Sequence, residues 1–197
     1  MAKPQLVPLV RTEPQPLGGR ADDELMALVQ AGSRQAFAVL VERYALRVVQ
    51  TCLRFAGELE QARELAQSTW VAVWEHRARY RQGGTFWLWL ITVARNRCRN
   101  ELRRRGTAQR QAQAHLCLGA DASADQIDAV LQLERSKRVR DALSRLPTDM
   151  SEALLLRYSE DLRYDQMATV LGAKESTLRS RVHHGLKLLR RHLEKSR

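Results

Sequence analysis

The chain has 197 residues and a net charge of +11, and 44% of its residues are hydrophobic, which is enough to bury one large core or two small ones. Only 5 prolines and 10 glycines interrupt it, and Ala, Leu, Arg, Gln and Glu are abundant, so the composition excludes a disordered chain and predicts an all-α fold. The sequence has no run of 18 apolar residues and no secretory signal pattern, so we expect a cytoplasmic protein.

The positive charge is concentrated in two segments. Residues 95–105 hold six Arg and one Glu, and residues 174–197 hold eight Lys or Arg and two Glu, so the segments carry +5 and +6. The other residues balance at 19 basic and 19 acidic side chains. This placement predicts two separate contacts with a polyanion, and a solvated basic face on each helix is the alternative on charge alone.

The first domain is predicted over residues 21–105, after a leader at 1–20 in which four prolines and Gly18–Gly19 indicate flexibility. Asp22 and Asp23 open a helix. Apolar residues at helical spacing then predict two amphipathic helices that share a core. The first helix contains Phe37, Leu40, Val41, Tyr44, Val48, Cys52 and Phe55, and the second contains Ala62, Leu65, Ala66, Thr69, Trp70 and Val73.

A further helix follows the break at Gly83–Gly84 and runs from Phe86 until Gly106 ends it. Its first half is apolar and its second half is rich in arginine, so the helix is predicted to start in the core and end on a phosphate backbone. Trp87 and Trp89 are either core residues or platforms on which nucleic-acid bases stack. Residues 106–133 are polar with weak periodicity and are predicted to form a linker.

The second domain is predicted over residues 134–197, and Pro147 should separate its first two helices. Residues 164–182, YDQMATVLGAKESTLRSRV, have the pattern of a helix-turn-helix, with Gly172 at the turn and Met167, Leu171, Leu178 and Val182 in the core. The second helix of this motif would direct a set of polar side chains into the major groove of DNA. The set comprises Ser176, Thr177, Arg179, Ser180, Arg181 and His184.

With these segments in place, the chain resembles the extracytoplasmic-function sigma factors, the two-domain group of the sigma-70 family. Residues 62–70, ARELAQSTW, are similar to the family's AEDLVQEVF helix, which docks on the clamp of the β′ subunit of RNA polymerase. The resemblance implies that Glu64, Gln67 and Ser68 contact the polymerase, with Ser68 standing where the family usually has an acid.

Residues 86–105, FWLWLITVARNRCRNELRRR, resemble the family's FxxWLxxIARNxxxDxxRR signature, with Asn100 in place of the usual Asp. The family uses this helix and the preceding loop, here residues 81–85, to melt the minus-ten element and hold an extruded base. The resemblance therefore implies that single-stranded promoter DNA is bound by Arg95, Asn96, Arg99, Asn100 and Arg103.

The helix-turn-helix resembles the family's reader of the minus-thirty-five element, except that Arg163 occupies the usual Ser or Thr helix cap, which leaves Asp161 or no side chain as the cap. The implied partners are promoter DNA, as duplex and single strand, the β′ clamp and β flap of RNA polymerase core, and an anti-sigma factor.

Two other functions are compatible with parts of the sequence. A stand-alone helix-turn-helix regulator would use residues 21–105 to bind a ligand or a second copy, but it leaves the arginines of 95–105 unexplained. A nucleic-acid enzyme would need convergent acids or histidines, and here they are scattered. We predict no catalytic residue, no cofactor and no metal: Cys52 and Cys98 are expected in the core, and Cys117 has only His115 nearby.

Overall fold

A computed structural model describes residues 16–104, 138–139 and 141–194. Over these residues the fold is all-α, as the composition predicts, and two short 3-10 turns lie at Leu17–Gly19 and Arg77–Arg79. The helices are α1 (Asp22–Gln30), α2 (Arg34–Ala56), α3 (Leu59–Glu75), α4 (Phe86–Arg104), α5 (Thr148–Tyr158), α6 (Tyr164–Leu171) and α7 (Glu175–Glu194). In this described part of the chain, none of the helices is long and apolar enough to cross a membrane.

The first half of the protein is a bundle of α1 to α4. The Ser33 hydroxyl accepts a hydrogen bond from the Ala36 N–H at 3.2 Å and caps the start of α2. Gly57, in the left-handed conformation with φ 81°, ends α2 and lets α3 turn back along it. The helices meet around a core that includes fully buried Leu40, Val48 and Val73, which confirms the predicted amphipathic pattern of α2 and α3.

Cys52 and Cys98 lie in this core, as predicted, with at most 1% of either residue exposed. Their thiols approach each other where α2 packs on α4. The hydrogen bond to Cys52, together with burial, raises the pKa of the Cys98 thiol above its usual range. Both side chains therefore act as small apolar residues at a helix crossing.

In the second half, residues 138–139 and 141–144 are helical and precede Pro147, and α5 starts directly after this proline. Helices α5, α6 and α7 then pack around Leu155, Met167 and Leu178. Gly172, with φ 63°, makes the turn between α6 and α7, as the helix-turn-helix pattern predicts.

A second glycine, Gly185, allows α7 to cross α5 closely. A Cβ atom at this position would lie 3.1 Å from the side chain of Leu154. Glycine in the middle of a helix is unfavourable by about 1 kcal/mol relative to alanine. Its presence here is explained by the closeness of the crossing, a feature that the sequence pattern did not indicate.

Gln166 caps the start of α6. Its Oε1 accepts a hydrogen bond from the Arg163 N–H at 2.9 Å. The sequence led us to expect Asp161 or no side chain as the cap: Asp161 does not cap α6, and the bond from the Arg163 N–H to Gln166 was not foreseen because it comes from a side chain three residues into the helix. The Asp161 carboxylate instead faces Arg157, at 3.6 Å.

The two halves are in contact, with α4 lying against α6. Their buried side chains form one continuous apolar cluster. The predicted linker at 106–133, most of the predicted leader, Gly106 and Cys117 lie outside the described residues, so the predicted domain boundaries stay predictions.

Candidate nucleic-acid interface

The second half of α4 carries all five residues predicted to contact the minus-ten element. Asn96, Asn100 and Arg103 are exposed and Arg99 is half-buried. Arg95 is buried, with 7% of its surface exposed. Asn96, Asn100 and Arg103 are therefore open to a ligand, whereas Arg99 lies 4.0 Å from both Asp149 and Glu152 of α5.

Arg95 points into the second half of the protein and pairs with Glu152 of α5. Its Nε and Nη2 atoms donate to Glu152 Oε2 at 3.0 and 2.6 Å. A buried guanidinium needs such a partner, because an unpaired charge away from water is strongly unfavourable. A DNA contact by Arg95 stays a prediction, and it requires that Arg95 and Glu152 separate.

A cavity of about 420 Å³ lies beside the two asparagines, between α3 and α4. Its lining contains the two amides, an indole ring and cationic groups, which can hydrogen-bond to and stack on a nucleic-acid base. Its volume is in the range of small-ligand pockets. The lining residues are Ala72, His76, Arg79, Trp89, Thr92, Val93, Asn96, Arg97 and Asn100.

The two tryptophans at the start of α4 have different environments. Trp87 is 5% exposed; it stacks on Tyr44 at 6.0 Å between ring centroids, and the Arg47 guanidinium lies 3.8 Å from its ring centroid. Trp89 is half-buried and lines the cavity next to Asn96. Trp87 is thus a core residue, and Trp89 is the tryptophan placed where a base could stack.

The loop of residues 81–85, at the N-terminal end of α4, is exposed but anchored to α1. The Asp23 carboxylate accepts hydrogen bonds from the Tyr80 hydroxyl and from the Gly83 N–H, the latter at 3.2 Å. These two bonds hold the pKa of Asp23 below its usual value. Burial, followed by the bond to Asp23, raises the pKa of Tyr80.

Replacing Asp23 with alanine should release this loop. We expect amide hydrogen exchange at Gly83 to become about three- to tenfold faster, because a charge-assisted hydrogen bond is lost. In the unmodified protein the anchor should be present at neutral pH and be lost as the pH falls through the lowered pKa of Asp23. NMR-detected exchange measures both effects, with Glu24→Ala in the same helical turn as the control. Equal acceleration in both variants would contradict the anchoring role.

The first half of α7 presents the predicted minus-thirty-five residues on its solvent face. Ser176, Thr177, Arg179, Ser180 and His184 are exposed, and Arg181 is half-buried. The opposite face carries Leu178 and Val182, which are buried against α5 and α6. This division is that of a recognition helix, with one face fixed by the core and the other free to enter a groove.

The two arginines in the first half of α7 have different partners. Arg179 pairs with Glu175 one turn earlier, at 3.3 Å, and its guanidinium lies 4.4 Å from the ring centroid of Tyr164. Arg181 pairs with Asp149 of α5 at 3.0 Å. Exposed pairs of the first kind contribute little and exchange readily for a DNA contact, whereas Arg181 points toward the junction with the first half.

The predicted polymerase-binding residues share one face of α3. Glu64 and Gln67 are exposed, and Ser68 is half-buried, with its hydroxyl donating to the Leu65 carbonyl at 2.9 Å. Val71 continues the same face one turn later and is 52% exposed. Sequence reasoning missed Val71, although an apolar residue four positions after Gln67 is visible in the sequence.

An apolar groove on the second half was also missed. It encloses about 190 Å³ between α5, α7 and residue 143, and its lining is almost entirely apolar. Tyr158 and Leu186 at its edge are 60% and 40% exposed. A groove of this kind accepts an apolar helix face from a partner. Its lining residues are Leu143, Leu154, Leu155, Tyr158, Leu186 and Leu189.

Each half of the chain matches the model of a known protein family. Residues 40–107 match the model described as Sigma-70 region 2, and residues 136–189 match Sigma-70, region 4. Together the two matches cover well over half of the chain. The first contains all of α3 and α4 and most of α2, and the second contains the helix-turn-helix.

Several curated proteins are similar over most of their length. The RNA polymerase sigma-H factor of Pseudomonas aeruginosa is 29% identical over 169 residues, which is 82% of this chain and 88% of the relative. The ECF RNA polymerase sigma factor SigW of Bacillus subtilis is 25% identical over 173 residues, 84% of this chain and 92% of the relative.

Two solved structures share the fold. CnrH, in complex with the cytosolic domain of CnrY, superposes with a TM-score of 0.67 at 23% identity over 90% of this chain and 100% of that chain. The sigma factor RpoE, in complex with the anti-sigma factor NepR from Bartonella quintana, superposes with a TM-score of 0.63 at 20% identity. The match covers 82% of this chain and 98% of that chain.

Proposed function

The chain belongs to the extracytoplasmic-function group of the sigma-70 family, and from this membership we propose how its surfaces divide the function of a sigma factor. The protein binds RNA polymerase core in the cytoplasm, directs it to a promoter and assists promoter opening. It contributes binding free energy and no chemistry of its own. The observation that carries the proposal is the presence, in one chain, of an exposed recognition helix and a separate polar, basic face on α4.

Recognition of the minus-thirty-five duplex is assigned to α7. Arg179 can bond to a guanine edge, and Ser176, Thr177 and Ser180 can bond to bases or phosphates. The helix-turn-helix core fixes the direction of α7, so these side chains enter the major groove together. Arg181 and His184 extend the contact along the helix.

Capture of the melted minus-ten strand is assigned to α4 and the cavity beside it. Asn96 and Asn100 can bond to the edge of an extruded base, and Trp89 can stack on its face. Arg95, Arg99 and Arg103 supply the charge that follows the strand. Because these contacts are made to single-stranded DNA and not to duplex, binding shifts the promoter toward its open state.

Polymerase binding is assigned to two surfaces. On α3, Glu64, Gln67 and Ser68 are proposed to contact the β′ clamp, with Val71 supplying an apolar contact. On the second half, the groove edged by Leu186 is proposed to take the β flap. We also propose an anti-sigma partner, supported by the two structural neighbours, both solved as complexes with another protein.

A test of the polymerase surface follows from Val71. Replacing it with arginine should weaken binding to core polymerase by about tenfold, because an apolar contact is replaced by a charge that must be desolvated. The matched control is Leu59→Arg, which changes another exposed apolar residue of α3. Binding measured by surface plasmon resonance should fall only for Val71→Arg, and an equal fall in both would contradict the assignment.

The sigma function is tested by run-off transcription with purified core polymerase on genomic fragments, including the region upstream of this gene. We expect specific transcripts only when the protein is added. Their start sites then define the promoter sequence. Absence of binding to core polymerase, combined with tight duplex binding by the protein alone, would instead identify a stand-alone regulator.

A further inference from the structure

His184 is the one histidine among the residues assigned to the minus-thirty-five duplex, and it lies in the third turn of α7. Its side chain is exposed. Along the helix axis it is about 12 Å from Ser176 in the first turn, given the rise per residue of an α-helix. The N-terminal residues of a recognition helix contact base edges. A residue this far along α7 is therefore placed to meet the DNA backbone.

The partner of His184 decides which ring nitrogen carries a hydrogen. Nδ1 lies 2.9 Å from the Ser180 carbonyl oxygen and 3.1 Å from the Ser180 hydroxyl. A carbonyl oxygen can only accept a hydrogen bond, so Nδ1 must donate one and carries a hydrogen whether the ring is neutral or charged. This bond fixes the tautomer of the neutral ring, in which Nε2 is the nitrogen without a hydrogen.

Nε2 of His184 has opposite hydrogen-bonding roles in the two charge states of the ring. In the neutral ring Nε2 is an acceptor, and a phosphate oxygen is an acceptor too, so the two cannot form a hydrogen bond. In the charged ring Nε2 carries a hydrogen and can donate to phosphate, in a bond strengthened by the opposite charges. A phosphate contact through Nε2 therefore requires that the ring take up a proton.

The charges around His184 favour a phosphate as its ligand. Arg181 and Lys187 lie three positions before and three positions after it, so they share its side of α7. From α5, Asp149 approaches this side of the helix, and its carboxylate pairs with Arg181 at 3.0 Å. Over the described ranges, the polar and ring contacts of His184 are with other residues of α7, and none is with an acid.

We propose that His184 is a proton-dependent contact with a DNA phosphate, so that binding to the minus-thirty-five duplex takes up a proton. Duplex affinity then falls as the pH rises through the range in which histidine loses its charge, which is close to neutral pH. The proposal rests on the assignment of α7 to duplex DNA and adds to it the chemistry of one contact. Promoter binding would thereby respond to the pH of the surrounding solution.

The test measures binding of the polymerase holoenzyme to duplex promoter DNA at two pH values. With the unmodified chain, affinity should be about three- to tenfold higher at about pH 6 than at about pH 8, because a charge-assisted hydrogen bond at an exposed site is gained. His184→Gln cannot take up a proton and should lack this gain. His184→Arg is charged at both pH values and should bind tightly at both. Comparing variants removes any pH dependence that the polymerase itself contributes.

Salt dependence identifies the ligand of His184 as phosphate. Each phosphate contact made by a cation adds about one to the slope of log affinity against log salt concentration. In the unmodified protein this slope should steepen by about one on acidification. It should be steep at both pH values in His184→Arg and shallow at both in His184→Gln. A gain in affinity with an unchanged slope would overturn the phosphate contact.

The matched control is His183→Gln, which removes an exposed imidazole from the preceding position of α7. Its ring meets that of His184 edge-on, with the centroids 5.6 Å apart. His183 is turned about 100° around the helix axis from His184, and it lines a separate cavity with Arg138 and Leu189. The gain in affinity on acidification should stay within about twofold of that of the unmodified protein, since no DNA contact is assigned to His183.

Each result decides the proposal. Loss of the gain on acidification in His184→Gln, with the gain kept in His183→Gln, supports it. A gain that persists in His184→Gln, or that is lost in His183→Gln, overturns it. Unmodified holoenzyme that binds promoter duplex equally well at both pH values also overturns it while leaving the assignment of α7 intact. Holoenzyme that binds no duplex at either pH overturns that assignment together with the proposal, so the two failures are distinguished.

Discussion

Replacing Arg179 with alanine should weaken binding of the polymerase holoenzyme to duplex promoter DNA by about 10- to 100-fold. A bidentate contact to a guanine edge contributes about 1–3 kcal/mol of discrimination, and each 1.4 kcal/mol is a factor of ten. The exposed pair that Arg179 makes with Glu175 offers little resistance to that contact. Gel-shift titration on promoter fragments measures the loss.

The dependence of the lost affinity on DNA sequence matters as much as the size of the loss in the Arg179 variant. Arg191→Ala, in the last turn of α7, removes the same charge from the same helix and should cost less than threefold. The Arg179 variant should also lose discrimination at one base pair of the minus-thirty-five element. If both variants lose equal affinity with unchanged sequence preference, Arg179 contributes only charge and the recognition assignment fails.

Replacing Asn96 with alanine should reduce the fraction of open promoter complexes about tenfold, with initial duplex binding changed less than twofold. The amide lines the cavity proposed to hold the extruded base, and unpairing a base costs a few kcal/mol that such contacts offset. Potassium permanganate reactivity of unpaired thymines measures opening, and a gel shift at low temperature measures initial binding.

The control for Asn96 is Gln50→Ala, an exposed amide on α2 that no assignment places near DNA. On a template whose minus-ten bases are already unpaired, the Asn96 variant should form open complexes with a smaller deficit, because the protein no longer has to unpair those bases. Equal losses of initial binding and opening in both the Arg179 and the Asn96 variants would show that α7 and α4 do not have separate roles.

The helix-turn-helix could be predicted nearly to the residue because its signals are local. Gly172 adopts the left-handed conformation that ends α6, and Pro147 separates two helices. The predicted core positions Met167, Leu178 and Val182 are buried. Helical periodicity likewise identified α2, α3 and the two-part character of α4, since each depends on spacing within one segment.

The contact between the halves could not be predicted, because its partners are distant in sequence. Arg95 and Glu152 are 57 residues apart, and neither their spacing nor their neighbours indicate a pair. Periodicity places Arg95 on a polar helix face but does not say what that face meets. The arginines that the sequence predicts to bind DNA are therefore partly occupied by acidic side chains in the folded protein.

The environments of the tryptophans were undecided for a related reason. Trp87 and Trp89 are two positions apart in one apolar run, and both core packing and base stacking were open. Only the position of Arg47 over Trp87, and of the cavity beside Trp89, separates them. Both depend on how α2 and α3 lie against α4, which the sequence of α4 does not determine.

The central claim, that α4 captures melted promoter strand as part of a polymerase complex, is tested most directly by permanganate mapping of a promoter found by run-off transcription. Core polymerase and the protein together should make thymines of the minus-ten element reactive, and neither should do so alone. Duplex binding by the protein alone, with no reactive thymines when core is added, would contradict the account.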